Sequence, residues 1–160
     1  MLKDNNGQTA LIGAVGNDKY GDLYSDLLKK ENIVPLFEKI EEVNTGICAV
    51  YCHNRDRGHI TDLGASILIS NKMLNETNNI LQGAELIFTE LFILKHKKEF
   101  VYKLANIGLN SKKVFGFNLP SFYFIETFLE DIKCLFEYAD VVFTNAAEAN
   151  LFAKLCNFNV

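Results

Sequence analysis

The sequence predicts an α/β fold: a parallel sheet built from strand–helix repeats, carrying a small β-rich insertion. Three observations lead there. From Asn71 onward, helical and apolar extended segments alternate three times at a spacing of roughly 25–30 residues, which is the pattern of βαβ units with a sheet covered on both faces. Between Ile33 and Gly64, extended segments instead follow one another with polar residues among them, which suits an antiparallel patch with one wet face. The composition, 160 residues that are 49% hydrophobic and 22% charged, can fill a core. It excludes a disordered acidic tail or a low-complexity linker, and the length suits one domain or part of a larger one.

The elements follow in order. Residues 10–16, Ala-Leu-Ile-Gly-Ala-Val-Gly, form a short apolar run ending in glycine, hence a buried strand and then a tight turn. Asn17 is expected to cap a helix whose apolar face is Tyr20, Leu23, Leu27 and Leu28. Residues 33–40, 45–54 and 58–64 have β-branched or aromatic content with turn residues between them, so each is predicted as extended. Beyond Ser70 the prediction is helix 71–81, strand 84–91, helix 97–109, strand 113–117, helix 124–138, strand 140–144 and helix 146–158. No Pro- or Gly-rich linker separates the two regions, so residues 1–160 are read as one domain holding an insertion at 33–64.

Function classes narrow next. The net charge of −4 disfavours a protein that neutralises nucleic-acid phosphates. No apolar run reaches the roughly 18–20 residues needed to cross a bilayer, and residues 1–6 are polar, without a secretory core. A cytosolic protein is expected. On one strand, Cys48 and Cys52 would lie about 13 Å apart, too far for one zinc ion or one disulfide. They are read, with Cys134 and Cys156, as buried free thiols. His53, His59 and His96 fall on separate elements without ligand spacing, and no serine stands in a nucleophile elbow.

Ligands of open parallel sheets bind beyond the carboxyl ends of the strands. That rule selects Phe92 after strand 84–91, Asn118 after 113–117, and Asn145 with Glu148 after 140–144. Competing roles are a cap or turn for each asparagine and a core position for Phe92. Gly13-Ala14-Val15-Gly16-Asn17-Asp18 lacks the Lys-Ser/Thr of a phosphate loop and the third glycine of a dinucleotide fingerprint, so a tight βα turn is the better reading. Lys95-His96-Lys97-Lys98 opens a predicted helix against its dipole and reads as a solvated face.

These segments together resemble a known family. Residues 13–22, Gly-Ala-Val-Gly-Asn-Asp-Lys-Tyr-Gly-Asp, resemble the strand–turn–helix near the start of ribokinase-like (PfkB-type) carbohydrate kinases. Thr45-Gly46-Ile47-Cys48-Ala49 looks like the Thr-Gly-x-Cys-Ala lid strand of the adenosine kinases in particular. Arg57, followed by Asp62-Leu63-Gly64-Ala65-Ser66, is similar to that subfamily's Arg-x-x-x-x-Asn-Leu-Gly/Ala-Ala segment. Asn145-Ala146-Ala147-Glu148 matches the family's Asn-x-x-Glu motif. The motifs are collinear from about Ile12 to the C-terminus.

The resemblance implies a ribokinase-like three-layer α/β core with a parallel sheet and a small β lid at 33–64, which would close over a nucleoside. It implies phosphorylation of the adenosine ribose 5′-hydroxyl by ATP with Mg2+, giving AMP in purine salvage. Phe92 matches the aromatic that stacks on adenine. Cys48, Thr61 and Leu63 fall on lid and hinge positions lining the nucleoside pocket. Arg57 matches an arginine reaching the transferring phosphate, and Asn145 with Glu148 matches the pair that organises magnesium and ATP phosphates through water. Tyr123 stands where the family tends to have Phe, with Asn118 at the strand end leading to it. His59, Asp62 and Glu90 depart from the pattern, replacing an apolar residue, an Asn and a small residue.

The family's Gly-Ala-Gly-Asp segment, which supplies an anion hole and the base, does not occur in these residues, nor does its N-terminal Gly-Gly segment. The chain is therefore expected to be an adenosine kinase fragment, inactive alone, poorly soluble through unpaired sheet edges, cytoplasmic or nuclear, with a monomeric full-length parent and no nucleic-acid or membrane partner. The alternatives are another ribokinase-like sugar or nucleoside kinase, or a non-catalytic nucleoside-binding or interaction module.

Overall fold

The computed structural model describes residues 8–54 and 56–158; the polar stretch 1–6 lies outside the described residues. The chain divides into two compact units, one ending at Thr77 and the other beginning at Asn78.

In the first unit, β1 (Thr9–Gly16), α1 (Lys19–Lys30) and β2 (Ile33–Ile40) form one βαβ motif. β1 and β2 pair in parallel, from Thr9↔Ile33 to Gly16↔Ile40. Residues 33–40 therefore do not belong to an antiparallel patch, as their sequence suggested. The 12-residue helix between the strands returns the chain in its original direction, which is what parallel pairing requires. The helix cap also differs from expectation. Asp18, not Asn17, is the N-cap, because its backbone is extended (φ −140°, ψ 172°) and its Oδ1 accepts from the Tyr20 and Gly21 amides. The Asn17 side chain donates instead to Glu41. Gly21 lies against the turn, where a Cβ would come 2.5 Å from the Gly16 carbonyl oxygen. Tyr20, Leu23 and Leu27 remain exposed.

β3 (Ile47–His53) and β4 (Asp56–Asp62) form an antiparallel hairpin, registered from Ile47↔Asp62 to His53↔Asp56. Its described residues are exposed on both faces. The thiols of Cys48 and Cys52 are accordingly free but not buried; Cys134 is exposed too and Cys156 half-buried, which corrects the expectation of buried thiols. A short 3-10 turn (Gly64–Leu68) and α2 (Asn71–Glu76) follow. The single helix expected over 71–81 is broken: Thr77, the C-cap of α2, leaves helical geometry (φ −95°, ψ 4°) while its amide and hydroxyl still donate to the Met73 carbonyl.

The second unit contains α3 (Asn78–Gly83), β5 (Leu86–Thr89), a 3-10 turn (Leu91–Ile93), α4 (Leu94–Asn110), β6 (Val114–Asn118), α5 (Phe122–Thr127), α6 (Leu129–Phe136), β7 (Val141–Phe143) and α7 (Ala146–Leu155). Its three strands are all parallel in the order β5-β6-β7. The helix expected over 124–138 is two helices, because Phe128 leaves helical geometry (φ −114°, ψ 26°).

Strand alternation sorts the sheet's two faces. Ile87, Thr89, Phe115 and Phe117 point to one side and are buried. There α4 packs so closely on β6 that a Cβ on Gly108 would lie 3.0 Å from that of Phe115. Phe117 meets the edge of Phe136 at 5.5 Å, and Phe136 stacks on Phe152 at 4.6 Å. On the other side Leu86, Phe88, Val114, Val141 and Phe143 stay exposed. Among the described residues, no helix is long and apolar enough to cross a membrane.

Candidate functional site

Each unit carries its own set of candidate residues. In the second unit, the parallel register puts the carboxyl ends of β5, β6 and β7 on one rim. Glu90 and Phe92 follow β5, Asn118 closes β6, and Asn145 with Glu148 follows β7. Asn118 is the joint of this rim. Its Oδ1 accepts the Leu91 amide at 2.9 Å, and its Nδ2 donates to Glu90 Oε1 at 2.7 Å. Both ends of the amide are thus spent on the turn that presents Phe92. The Phe92 ring rests edge-on against buried Phe124 at 5.5 Å, yet it is 50% exposed, so it is a supported aromatic platform rather than a core residue. Tyr123, in the first turn of α5, is more exposed still.

Asn145 and Glu148 form a capping box at the start of α7. Asn145 Oδ1 accepts the Glu148 amide at 2.9 Å, and Glu148 Oε2 accepts the Asn145 amide at 3.2 Å. The Thr144 hydroxyl reaches the same Oε2 at 3.4 Å. The carboxylate is therefore held, half-buried, at the positive end of a helix. No group of three or more metal-ligating side chains exists among the described residues. A closed ion cage is therefore not what this pair builds. A partly accessible carboxylate with spare lone pairs suits a hydrated hard cation reached through its waters.

In the first unit, the hairpin register decides which side chains share a face. Cys48 pairs with Thr61, Val50 with His59, and Cys52 with Arg57. Cys48, Thr61, His59 and Arg57 therefore line one face of the hairpin. The Thr61 hydroxyl lies 3.3 Å from Cys48 Sγ. Arg57 has no carboxylate partner among the described residues, and its guanidinium is in water. Leu63 follows the strand end and opens the 3-10 turn, half in solvent.

Sequence reasoning overlooked the most perturbed group in this unit. Asp18 receives four hydrogen bonds: from the Tyr20 and Gly21 amides, and from the amide and hydroxyl of Thr45. Those bonds, the Thr45 amide foremost, lower its pKa from 3.8 to about 2. A depressed carboxylate pKa means stabilisation that is complete above the unfolded value and lost as pH falls through the folded one. The stability difference between the native chain and Asp18→Asn is thus expected to hold at pH 5 and to shrink as pH drops from 4 to 2. Denaturant midpoints of both proteins at several pH values read this directly; a difference that does not change with pH would contradict it.

The basic run 95–98 is only partly a solvated face. Lys97 departs from helical geometry inside α4, and Lys98 pairs with Asp131, which also accepts from the Tyr102 hydroxyl. A cavity of about 400 Å³ lies at the amino end of β6, lined among others by Gly108, Lys112, Lys113, Tyr138 and Asp140, at the opposite end of the strand from Asn118.

Comparisons with known proteins agree with this layout. The model of the pfkB family of carbohydrate kinases matches residues 1–160. An adenosine kinase of Saccharomyces cerevisiae is 25% identical over 146 residues, 91% of this chain and 43% of that protein. Adenosine kinase 1 of Arabidopsis thaliana is 28% identical over 153 residues, 93% of this chain and 44% of that protein. The solved adenosine kinase of Anopheles gambiae superposes with a TM-score of 0.86 at 23% identity, covering 92% of this chain and 45% of that one. The chain spans a little under half the length of these relatives.

Proposed function

Because the chain belongs to the pfkB family of carbohydrate kinases and has its ribokinase-like α/β fold, we propose that these residues are part of an adenosine kinase that transfers the γ-phosphoryl group of ATP to the ribose 5′-hydroxyl. The observation that carries the reading is Phe92: a half-exposed ring beyond the end of β5, on a turn that Asn118 holds from β6. A rigid aromatic face on the ligand-binding rim of a parallel sheet suits a purine base. The curated relatives support it by name, and the Anopheles enzyme was solved with P1,P4-di(adenosine-5) tetraphosphate, a ligand with adenosine at both ends.

In this reading Phe92 stacks on adenine, with Tyr123 near the same rim. Asn145 and Glu148 lie on the ATP side, where the Glu148 carboxylate would hold a hydrated Mg2+ through its waters. When bound, that ion neutralises charge on the phosphate oxygens. The Arg57 guanidinium, uncommitted to any described carboxylate, is free to pair with the transferring phosphoryl group. Cys48, His59 and Thr61, on the same hairpin face, and Leu63 beside it are the first unit's candidates for contacting a nucleoside. Transfer breaks the bond from the γ-phosphorus to the β,γ-bridging oxygen and forms one to ribose O5′. The hydroxyl proton must pass to a base, and the residues given contain neither that base nor the backbone anion hole. The chain by itself is expected to turn over negligibly, in a cytosolic setting.

Saturation-transfer NMR and calorimetric titration with adenosine, inosine and ribose test the proposal, alongside an assay for AMP from adenosine and Mg-ATP. Saturable adenosine binding, strongest at the base protons, with no AMP formed, is the expected pair of results. Ribose binding as well as adenosine would point to a sugar kinase, and no binding of either to an interaction module. Full turnover by the 160 residues would sink the claim that the base lies elsewhere.

A further inference from the structure

The β3–β4 hairpin leaves its unit through two legs, residues 44–46 and 62–65, which cross without space between them. A Cβ on Gly46 would lie 2.5 Å from the Leu63 carbonyl oxygen, and one on Gly64 would come closer still to the Asn44 carbonyl. Gly64 also has φ +47°, where a side chain is strained. The Ala65 amide donates to that Asn44 oxygen at 2.9 Å, so the second leg is bonded to the first. The first leg is bonded in turn to the β1–α1 turn. Asp18 Oδ2 accepts the Thr45 amide at 2.8 Å, and Asp18 Oδ1 accepts the Thr45 hydroxyl at 2.7 Å. Thr45 Oγ1 itself accepts the Gly16 amide at 2.9 Å.

A helix cap needs only the two bonds that Asp18 receives from Tyr20 and Gly21. The other two reach across 27 positions to the hairpin. We propose that Asp18 is a positioning residue for the hairpin: it locks the crossing of the two legs to the β1–α1 turn, so that β3 and β4 move as one piece above a fixed root. A carboxylate is the group this lock requires. Asparagine has one oxygen in place of two, and its amide nitrogen would set donor against donor at Thr45. The lock concerns the root of the hairpin itself and does not rest on the function proposed above.

Amide hydrogen exchange on the whole chain, without nucleoside, tests it. Thr45→Val removes the hydroxyl and leaves both cap bonds of Asp18 in place. The amides at positions 16, 45 and 65 are expected to exchange about tenfold faster, while those of Tyr20 and Gly21 keep their native rates. Thr45→Ser should restore the native pattern, and Asp18→Asn should accelerate the same three amides. Native rates at 16, 45 and 65 in Thr45→Val would overturn the proposal. So would an equal rise throughout β1, β2 and the hairpin, because Thr45 would then support the unit at large. Neither outcome depends on whether the chain binds adenosine.

Discussion

Replacing Phe117 with alanine is expected to remove about 3–5 kcal/mol of stability, the range for deleting a fully buried aromatic ring. Phe117 is 0% exposed. It stands on the covered face of the second unit's sheet, tilted against Phe115 at 6.3 Å and edge-on to Phe136 at 5.5 Å. Removing its ring takes away a partner of both and leaves a void that the sheet below cannot close, because β6 is held between two strands. The loss is large against a typical domain stability of about 5–15 kcal/mol. Guanidinium unfolding followed by circular dichroism would record a much lower midpoint. A loss under about 1 kcal/mol would mean that this face is not the core of the unit.

Phe92→Ala should do the opposite. The ring is half in solvent and its one described aromatic contact is Phe124, so the unfolding midpoint should move little. Adenosine binding should weaken by about tenfold to a hundredfold, the value of one base stacked on one aromatic, about 1–3 kcal/mol. Calorimetric titration of both proteins with adenosine measures the ratio. Unchanged affinity with unchanged stability would remove Phe92 from the site and with it the observation on which the nucleoside reading stands. The two phenylalanines are thus expected to separate fold from function: one side chain serves packing and the other the proposed ligand.

Much of the candidate site was legible in the sequence because it depends on strand ends. Phe92, Asn118 and Asn145 follow three apolar runs, and parallel strands carry the residues after them to the same rim. Reading position from periodicity did not reveal what Asn118 does there. Its two bonds to Glu90 and Leu91 join places 28 and 27 residues apart, a separation at which no local pattern survives. Asn145 shows how a cap and a proposed ligand position coincide: the capping box that fixes Glu148 is itself written in the Asn-x-x-Glu spacing. For Arg57, His59, Thr61 and Cys48, the common face follows from hairpin register, which periodicity alone does not specify.

The sequence by itself determined the kinds of elements, their order, and the family to which they point. Hydrophobic period and turn residues act over a few positions, and those are the distances at which helices, strands and caps are decided. Tertiary structure alone decided the rest. It paired residues 33–40 with β1, since an extended segment carries no label for its partner. It broke two expected helices, at Thr77 and Phe128. It made Asp18 the meeting point of a helix start and a hairpin root. The strand pairing and the role of Asp18 depend on groups distant in the chain finding hydrogen-bond partners that water would otherwise supply, and only the folded arrangement fixes which partners those are.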